Sequence, residues 1–344
     1  MLRSESITAG LVPLPPQPSG TPWPTQAWDR AEASPSDAVA FAHHTDALFD
    51  LPEPQGLTYA LLVVHKGQLV FERYASGASP IYAQVSWSIA KSVTQALVGI
   101  AVQDGLLDLY APAPVPEWAD DERSQITLDQ LLRMSSGLQF REEYADPSQS
   151  DVIPMLAGPA RHDMGGFAAS LPLEHPPGSV FSYSSGTSNI VARLLREVIG
   201  GPTEMLRFMR ERLFEPIGVR SAVPSFDTTG TFIGSSWLYA IPEDFARFGL
   251  LYLRDGVWEG QRILPEGWVD YARSKTHDDG EDAYGAHWWL KPGDTSVFYA
   301  SGFDGQRIVI APEKDLLVVR VGRTPKAEAP PMWAHVDGLL ELFA

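Results

Sequence analysis

The hydrophobic pattern of the chain changes period twice. Leu57-Thr58-Tyr59-Ala60-Leu61-Leu62-Val63-Val64 and Gln68-Leu69-Val70-Phe71-Glu72-Arg73-Tyr74 read as two strands, with His65-Lys66-Gly67 as the turn of a hairpin. From Ile89 the period becomes helical, with Val93, Ala96, Leu97, Ile100 and Ala101 on one stripe and Gly105 beyond its end. Ser86 or Ser88 is the expected N-cap of that helix. Further helices are predicted over 36–50 with Ser36 as cap, over 127–134 with Thr127 and Gln130 as a capping box, and over 190–199 before Gly200-Gly201. Others are expected over 204–213, 241–253, 265–272 and 332–343. The last third returns to strands, at 287–291, 297–300, 307–311 and 316–322. Residues 139–180 are polar, broken by Pro and Gly, and read as a long loop with short helices.

Strands that are neighbours in sequence are joined by turns, which makes the sheet antiparallel. The expected fold class is therefore α+β: one antiparallel sheet built from N- and C-terminal segments, flanked by helices, plus a mostly helical lobe. The expected organisation is a Pro-rich extended arm over 1–35 and a single domain over 36–344. Its α/β lobe takes in about 36–95 and 225–344, and its helical lobe about 96–224.

Composition narrows the chemistry. The 344 residues carry a net charge of −17, which disfavours nucleic acid and anionic membrane as partners. Cysteine is absent, so disulfides and thiolate chemistry are excluded. No run approaches the ~18 apolar residues of a membrane span. Met1 to Pro24 contains no apolar leader core, so a cytoplasmic protein is expected. His43-His44, His65, His162, His175, His277 and His335 show no metal-ligand spacing, and neither H-E-x-x-H nor G-x-S-x-G occurs. No metal and no cofactor are called for. Oligomeric state is not readable.

Ser88 and Lys91 lie three apart at the start of the helix, so both side chains share one face. That suits a serine nucleophile whose proton passes to an amine. Of six lysines, Lys91 alone has a serine three residues before it, and its helix is otherwise apolar. A charge is expensive there unless it is used. Tyr183, in Phe181-Ser182-Tyr183-Ser184-Ser185-Gly186, is a candidate proton carrier. Beside a lysine ammonium its phenol is expected to have a lowered pKa. Tyr299-Ala300-Ser301-Gly302-Phe303 sits between two strands, and a main-chain N–H there, that of Phe303, could pair with that of Ser88 as an oxyanion hole. In the long loop, Glu142, Glu143, Tyr144 and Asp151 are either substrate-selecting groups or a solvated charged face. Trp87 adjoins the nucleophile, and Trp237, Trp288 and Trp289 are pocket or core residues.

Together, S-x-x-K at Ser88, Y-x-S at Tyr183 and the small-residue-Ser-Gly strand motif at Ala300 resemble the serine β-lactamase and penicillin-binding-protein superfamily. The nearest likeness is to its class C-like branch of esterases, D-amino-acid amidases and 6-aminohexanoate-dimer hydrolases. The resemblance covers about residues 50–325, including Ile126–Leu138 and Phe245–Leu253. It implies that Ser88 is acylated, Lys91 is base or relay, Tyr183 is general acid/base and Phe303 supplies the second oxyanion N–H. By the same likeness Ser185, Ser301 and Gly302 contact substrate; Tyr144 in the long loop and Trp87 beside Ser88 are further candidate substrate-binding residues. Two departures stand out. Ser185 replaces the usual amide, and Ala300 replaces the usual cation, unless His287, Lys291 or Arg307 supplies one. The function implied is hydrolysis of small amides or esters. The alternatives are a β-lactamase or D-amino-acid peptidase, and a non-catalytic ligand-binding relative.

Overall fold

The computed structural model describes residues 10–52, 55–276 and 283–344; residues 1–9 of the arm and His277 lie outside them. Six strands form the principal sheet: β1 (Leu57–His65), β2 (Gln68–Tyr74), β3 (Trp289–Lys291), β4 (Asp294–Gly302), β5 (Gln306–Ala311) and β6 (Leu316–Arg323). Their order is β2-β1-β6-β5-β4-β3, antiparallel throughout. The N-terminal hairpin thus joins the C-terminal strands through β1 and β6, paired from Leu57↔Arg323 to His65↔Leu316 with one register shift between Thr58 and Ala60.

Both faces of this sheet are covered, so its inner strands are apolar on both sides instead of alternating. Leu61, Val63, Val309 and Val318 meet helix α1 (Ala38–Phe49) and a terminal helix, Ala329–Glu341. Leu62, Val64, Ile308, Ile310 and Val319 meet the larger core, which holds helix α2 (Ile89–Gln103). The same core includes α3 (Ser185–Ile199) and α4 (Pro242–Leu253); the terminal helix is α5. Among the described residues, no helix is long and apolar enough to cross a membrane.

Several boundaries differ from the sequence reading, each for a local reason. Asp37, not Ser36, caps α1: its carboxylate accepts from Val39 N and Ala40 N at 2.8 and 3.0 Å. Helix α3 begins at Ser185, five residues early, because the Ser184 hydroxyl accepts from Thr187 N at 3.0 Å. Strand β3 starts at Trp289, since His287 has φ +57 and breaks the extended backbone. The capping box is present, with Thr127 N donating to Gln130 Oε1 and Gln130 N to Thr127 Oγ1.

The described part of the arm straps onto the body. Trp28 is buried, and three buried arginines hold the strand of chain: Arg247 donates to Pro24 O, Arg254 to Gln17 Oε1 and Arg273 to Val12 O.

Candidate active site

Ser88 occupies the N-cap position of α2, yet its side chain caps nothing. The preceding residue, Trp87, has φ +44, a left-handed conformation that bulky residues rarely adopt. This turn presents Ser88 to the cleft. It is anchored by Ser86, whose N–H donates to Leu238 O and whose hydroxyl accepts from Leu238 N.

Lys91 is 1% exposed. Its Nζ lies 3.2 Å from Ser88 Oγ, 3.0 Å from Ser185 Oγ and 2.9 Å from Ser235 O. Two of these contacts fix its hydrogens. Ser235 O can only accept. Ser185 Oγ spends its own hydrogen on Glu142 Oε1 at 2.6 Å, so it too accepts from Lys91. A neutral amine has two N–H groups, and both are therefore committed. Its lone pair is left facing Ser88 Oγ. Burial also favours that neutral form, lowering the Lys91 pKa to about 8, while the charge of Glu142 works against the shift.

Glu142 is the residue whose part the sequence left open. Besides Ser185 Oγ it accepts from Ser185 N at 2.7 Å and Tyr144 OH at 2.7 Å. The carboxylate thus sits at the N-terminus of α3, where the helix dipole favours a negative charge. Glu143 and Asp151 instead serve the loop's own backbone, at Ala145 N and Arg141 N.

The Tyr183 ring centroid is 4.8 Å from Lys91 Nζ. Its phenol does not have the lowered pKa expected from the sequence. Burial, then the charge of Glu142, push it well above the ordinary tyrosine value, against smaller opposing effects of Ser88 and Arg307. The same burial disfavours the charged form of Lys91, and for the phenol burial and Glu142 outweigh what lowers it. Tyr183 is held as a protonated phenol.

Gly302 ends β4 beside the Ser86–Ser88 turn. A Cβ there would lie 2.3 Å from Ser86 O, closer than real contacts allow. Gly302→Ala is expected to lower stability by ~2–4 kcal/mol and to pull Phe303 away from Ser88. A thermal melt and kcat measured on the same preparation test this. Phe303 is 45% exposed and its ring lies 5.6 Å from Trp87 and 5.4 Å from Tyr144, giving the mouth an aromatic rim. Trp289 packs 5.3 Å from Tyr183 on the other wall, whereas Trp288 is core. Ala300 faces that core. Ser301 lies opposite Arg307 in the ladder, on the alternate face.

Two of the three proposed substitute cations are committed elsewhere. His287 is buried: its Nδ1 lies 2.7 Å from Leu132 O and its Nε2 2.9 Å from Ser188 Oγ. Burial lowers its pKa to about 3, so it is neutral. Lys291 pairs with Asp337 at 2.9 Å. Arg307 lies near Tyr183 but donates to Gly302 O and Gln306 O.

An antiparallel sheet flanked by helices, with a serine and a buried lysine one turn apart at the start of one helix, is the arrangement of the penicillin-binding-protein and β-lactamase fold. The β-lactamase family model matches residues 48–338, and the chain belongs to that family. It is 26% identical, over 92% of its length and 86% of the relative's, to a 6-aminohexanoate-dimer hydrolase of Paenarthrobacter ureafaciens. A solved Bacillus anthracis structure provisionally given the same name aligns with TM-score 0.73 and 26% identity, covering 85% of this chain and 80% of that one. A penicillin-binding protein of Bacillus halodurans shares the fold at TM-score 0.63 and 17% identity, over 81% and 96%.

Proposed function

We propose that the protein is a serine hydrolase that cleaves small amides or esters through an acyl-enzyme on Ser88, in the manner of a 6-aminohexanoate-dimer hydrolase. The observation that carries this reading is the buried Lys91 amine, 3.2 Å from Ser88 Oγ, with Ser185 Oγ and Ser235 O as acceptors on its other sides.

Ser88 Oγ attacks the carbonyl as its proton passes to Lys91 Nζ. The N–H groups of Ile89, Ala90 and Lys91 are already used on Ser86 O, Trp87 O and Ser88 O. The oxyanion is therefore assigned to the N–H groups of Ser88 and Phe303. Tyr183, protonated, gives its hydrogen to the leaving amine or alkoxide and regains one from Lys91. Water then attacks the ester carbonyl on Ser88, with the same residues moving its proton. Ser185 acts inside the network, linking Lys91 to Glu142.

Ala300 favours this reading over a β-lactamase, since no side-chain cation stands at that position to hold a carboxylate. Intact-protein mass spectrometry with p-nitrophenyl acetate and a fluorophosphonate tests the acyl-enzyme. Turnover of linear 6-aminohexanoate dimer, a D-amino-acid amide and nitrocefin ranks the substrates. An adduct on wild type, absent from Ser88→Ala, is expected. A wild type that takes no adduct and releases no nitrophenol leaves a ligand-binding relative as the answer. Turnover of nitrocefin above the other substrates moves it to the β-lactamases.

Glu142→Gln checks the electrostatics. Glu142 raises the Lys91 pKa, so removing its charge lowers that pKa further. The acid limb of kcat/KM against pH is expected to move to lower pH. An unmoved or raised limb contradicts the assignment of that limb to Lys91.

A further inference from the structure

On the opposite face of the sheet from Ser88, among the described residues, His43, His44 and His335 bring one ring nitrogen each to within 4.8 Å of the other two. The first two lie on α1 and the third on α5, 291 residues after His44. Their ring centroids form a nearly equilateral triangle of 5.3, 5.4 and 5.8 Å, with interplanar angles of 63, 61 and 69°. Three imidazoles bound tetrahedrally at a metal–nitrogen distance of about 2.0–2.1 Å have centroids about 5.2 Å apart and ligand atoms about 3.3 Å apart. The His44 and His335 Nδ1 atoms are 3.1 Å apart. His43 is exposed, so a turn of its side chain closes the remaining gap.

A second feature belongs to the same cluster. Gly338 lies within α5, one turn beyond His335, where glycine is a poor helix former. A Cβ at Gly338 would lie 2.3–2.4 Å from the His44 ring. The glycine opens the slot in which that ring lies against α5.

We propose that His43, His44 and His335 form a binding site for a borderline divalent transition ion, of the Zn2+, Cu2+ or Ni2+ kind, that ties α1 to α5. The donors are imidazoles alone, which suit these ions and not Mg2+ or Ca2+. Three protein ligands leave a fourth position for water. The bound ion joins α1 and α5 where they pack together on one face of the sheet. It binds the folded chain in preference to the unfolded one, which separates the ligands, and so stabilises it.

The test uses the untagged full-length protein after chelator treatment. Calorimetric titration with ZnCl2 is expected to give one equivalent bound, and Zn2+ to raise the melting temperature, with MgCl2 inert in both. Loss of an outer-shell partner alone weakens a metal site roughly 10–100-fold. His335→Ala and His43→Ala each remove a ligand, so both are expected to weaken Zn2+ by more than that while leaving ester hydrolysis unchanged. Gly338→Ala, which crowds the His44 ring, is expected to weaken it as well. Electron paramagnetic resonance of the Cu2+ form is expected to show coupling to three nitrogens. If His335→Ala does not fold, exposed His43 decides alone. Wild type that takes up no Zn2+, or His43→Ala that holds it as tightly as wild type, overturns the proposal.

Discussion

Ser88→Ala lowers kcat/KM for a p-nitrophenyl ester by roughly four to six orders of magnitude, the scale seen when a serine nucleophile is removed. The protein stays folded while it does so. An ordinary N-cap serine costs about 1 kcal/mol when changed to alanine, because its oxygen satisfies a helix N–H. The Ser88 hydroxyl satisfies none; it lies against Lys91 Nζ. The melting temperature of the variant is therefore expected to match wild type within ~2 °C, since the missing cap energy is what would have moved it. This pairing of lost activity with kept stability separates a chemical role from a structural one. A variant that melts like wild type and still turns over ester at more than a tenth of the wild-type rate rules out Ser88 as the acylated residue.

The second large effect is at Lys91. Lys91→Met removes the base and is expected to lower kcat/KM by about 10^2–10^4-fold. Lys91→Arg retains a cation but cannot release its proton in the working range. Both variants are expected to be inactive to a similar degree if the neutral amine does the work. Partial activity in Lys91→Arg alone would instead assign Lys91 an electrostatic role. Wild-type kcat/KM carries the matching signature. With the Lys91 pKa lowered to about 8, the active form is the deprotonated one, so the rate rises with pH through that region and levels off above it. Tyr183 does not contribute a limb there, because its phenol titrates well above the ordinary tyrosine range. The pH dependence belongs to the coupled site, and the Lys91 and Glu142 variants assign it.

Glu142 and Ser185 explain how a buried amine is kept in place without being kept charged. A carboxylate in direct contact with Lys91 would hold a proton on it. Here Ser185 Oγ stands between the two, passing the orientation of Glu142 to the amine while spacing its charge away. The side chain that replaces the usual amide in the tyrosine motif is thus engaged inward, between base and carboxylate. Tyr144 donates to the same Oε1 of Glu142 that accepts from Ser185 Oγ and reaches the Phe303 ring, so this loop residue joins the hydrogen-bond network to the aromatic rim.

What was legible in the sequence is what depends on neighbours within a turn or a hairpin. The 3.6-residue period alone puts Ser88 and Lys91 on one face of α2, and Thr127 with Gln130 closes its own helix start. The apolar runs of β1, β5 and β6 identify a sheet covered on both sides, and the short turns between strands make it antiparallel. Cap choices one residue apart, as at Ser36 and Asp37, were decided by which side chain reaches the free N–H groups of the first turn; the Asp37 carboxylate reaches Val39 N and Ala40 N.

The protonation states and the convergent clusters were decided only by the tertiary structure. The Lys91 pKa is lowered by burial, and its amine is held by Ser235 O, a backbone atom that no residue type announces. Tyr183 stays a phenol because burial raises its pKa, with Glu142 adding to the shift. His287 looks like a spare cation in the sequence and is a buried neutral ring in the fold. His44 and His335 are 291 positions apart and their Nδ1 atoms 3.1 Å apart. Hydrogen bonds within one helical turn follow from spacing along the chain. Desolvation and the fields of distant charges follow from which segments the folded sheet brings together, and spacing carries no record of that.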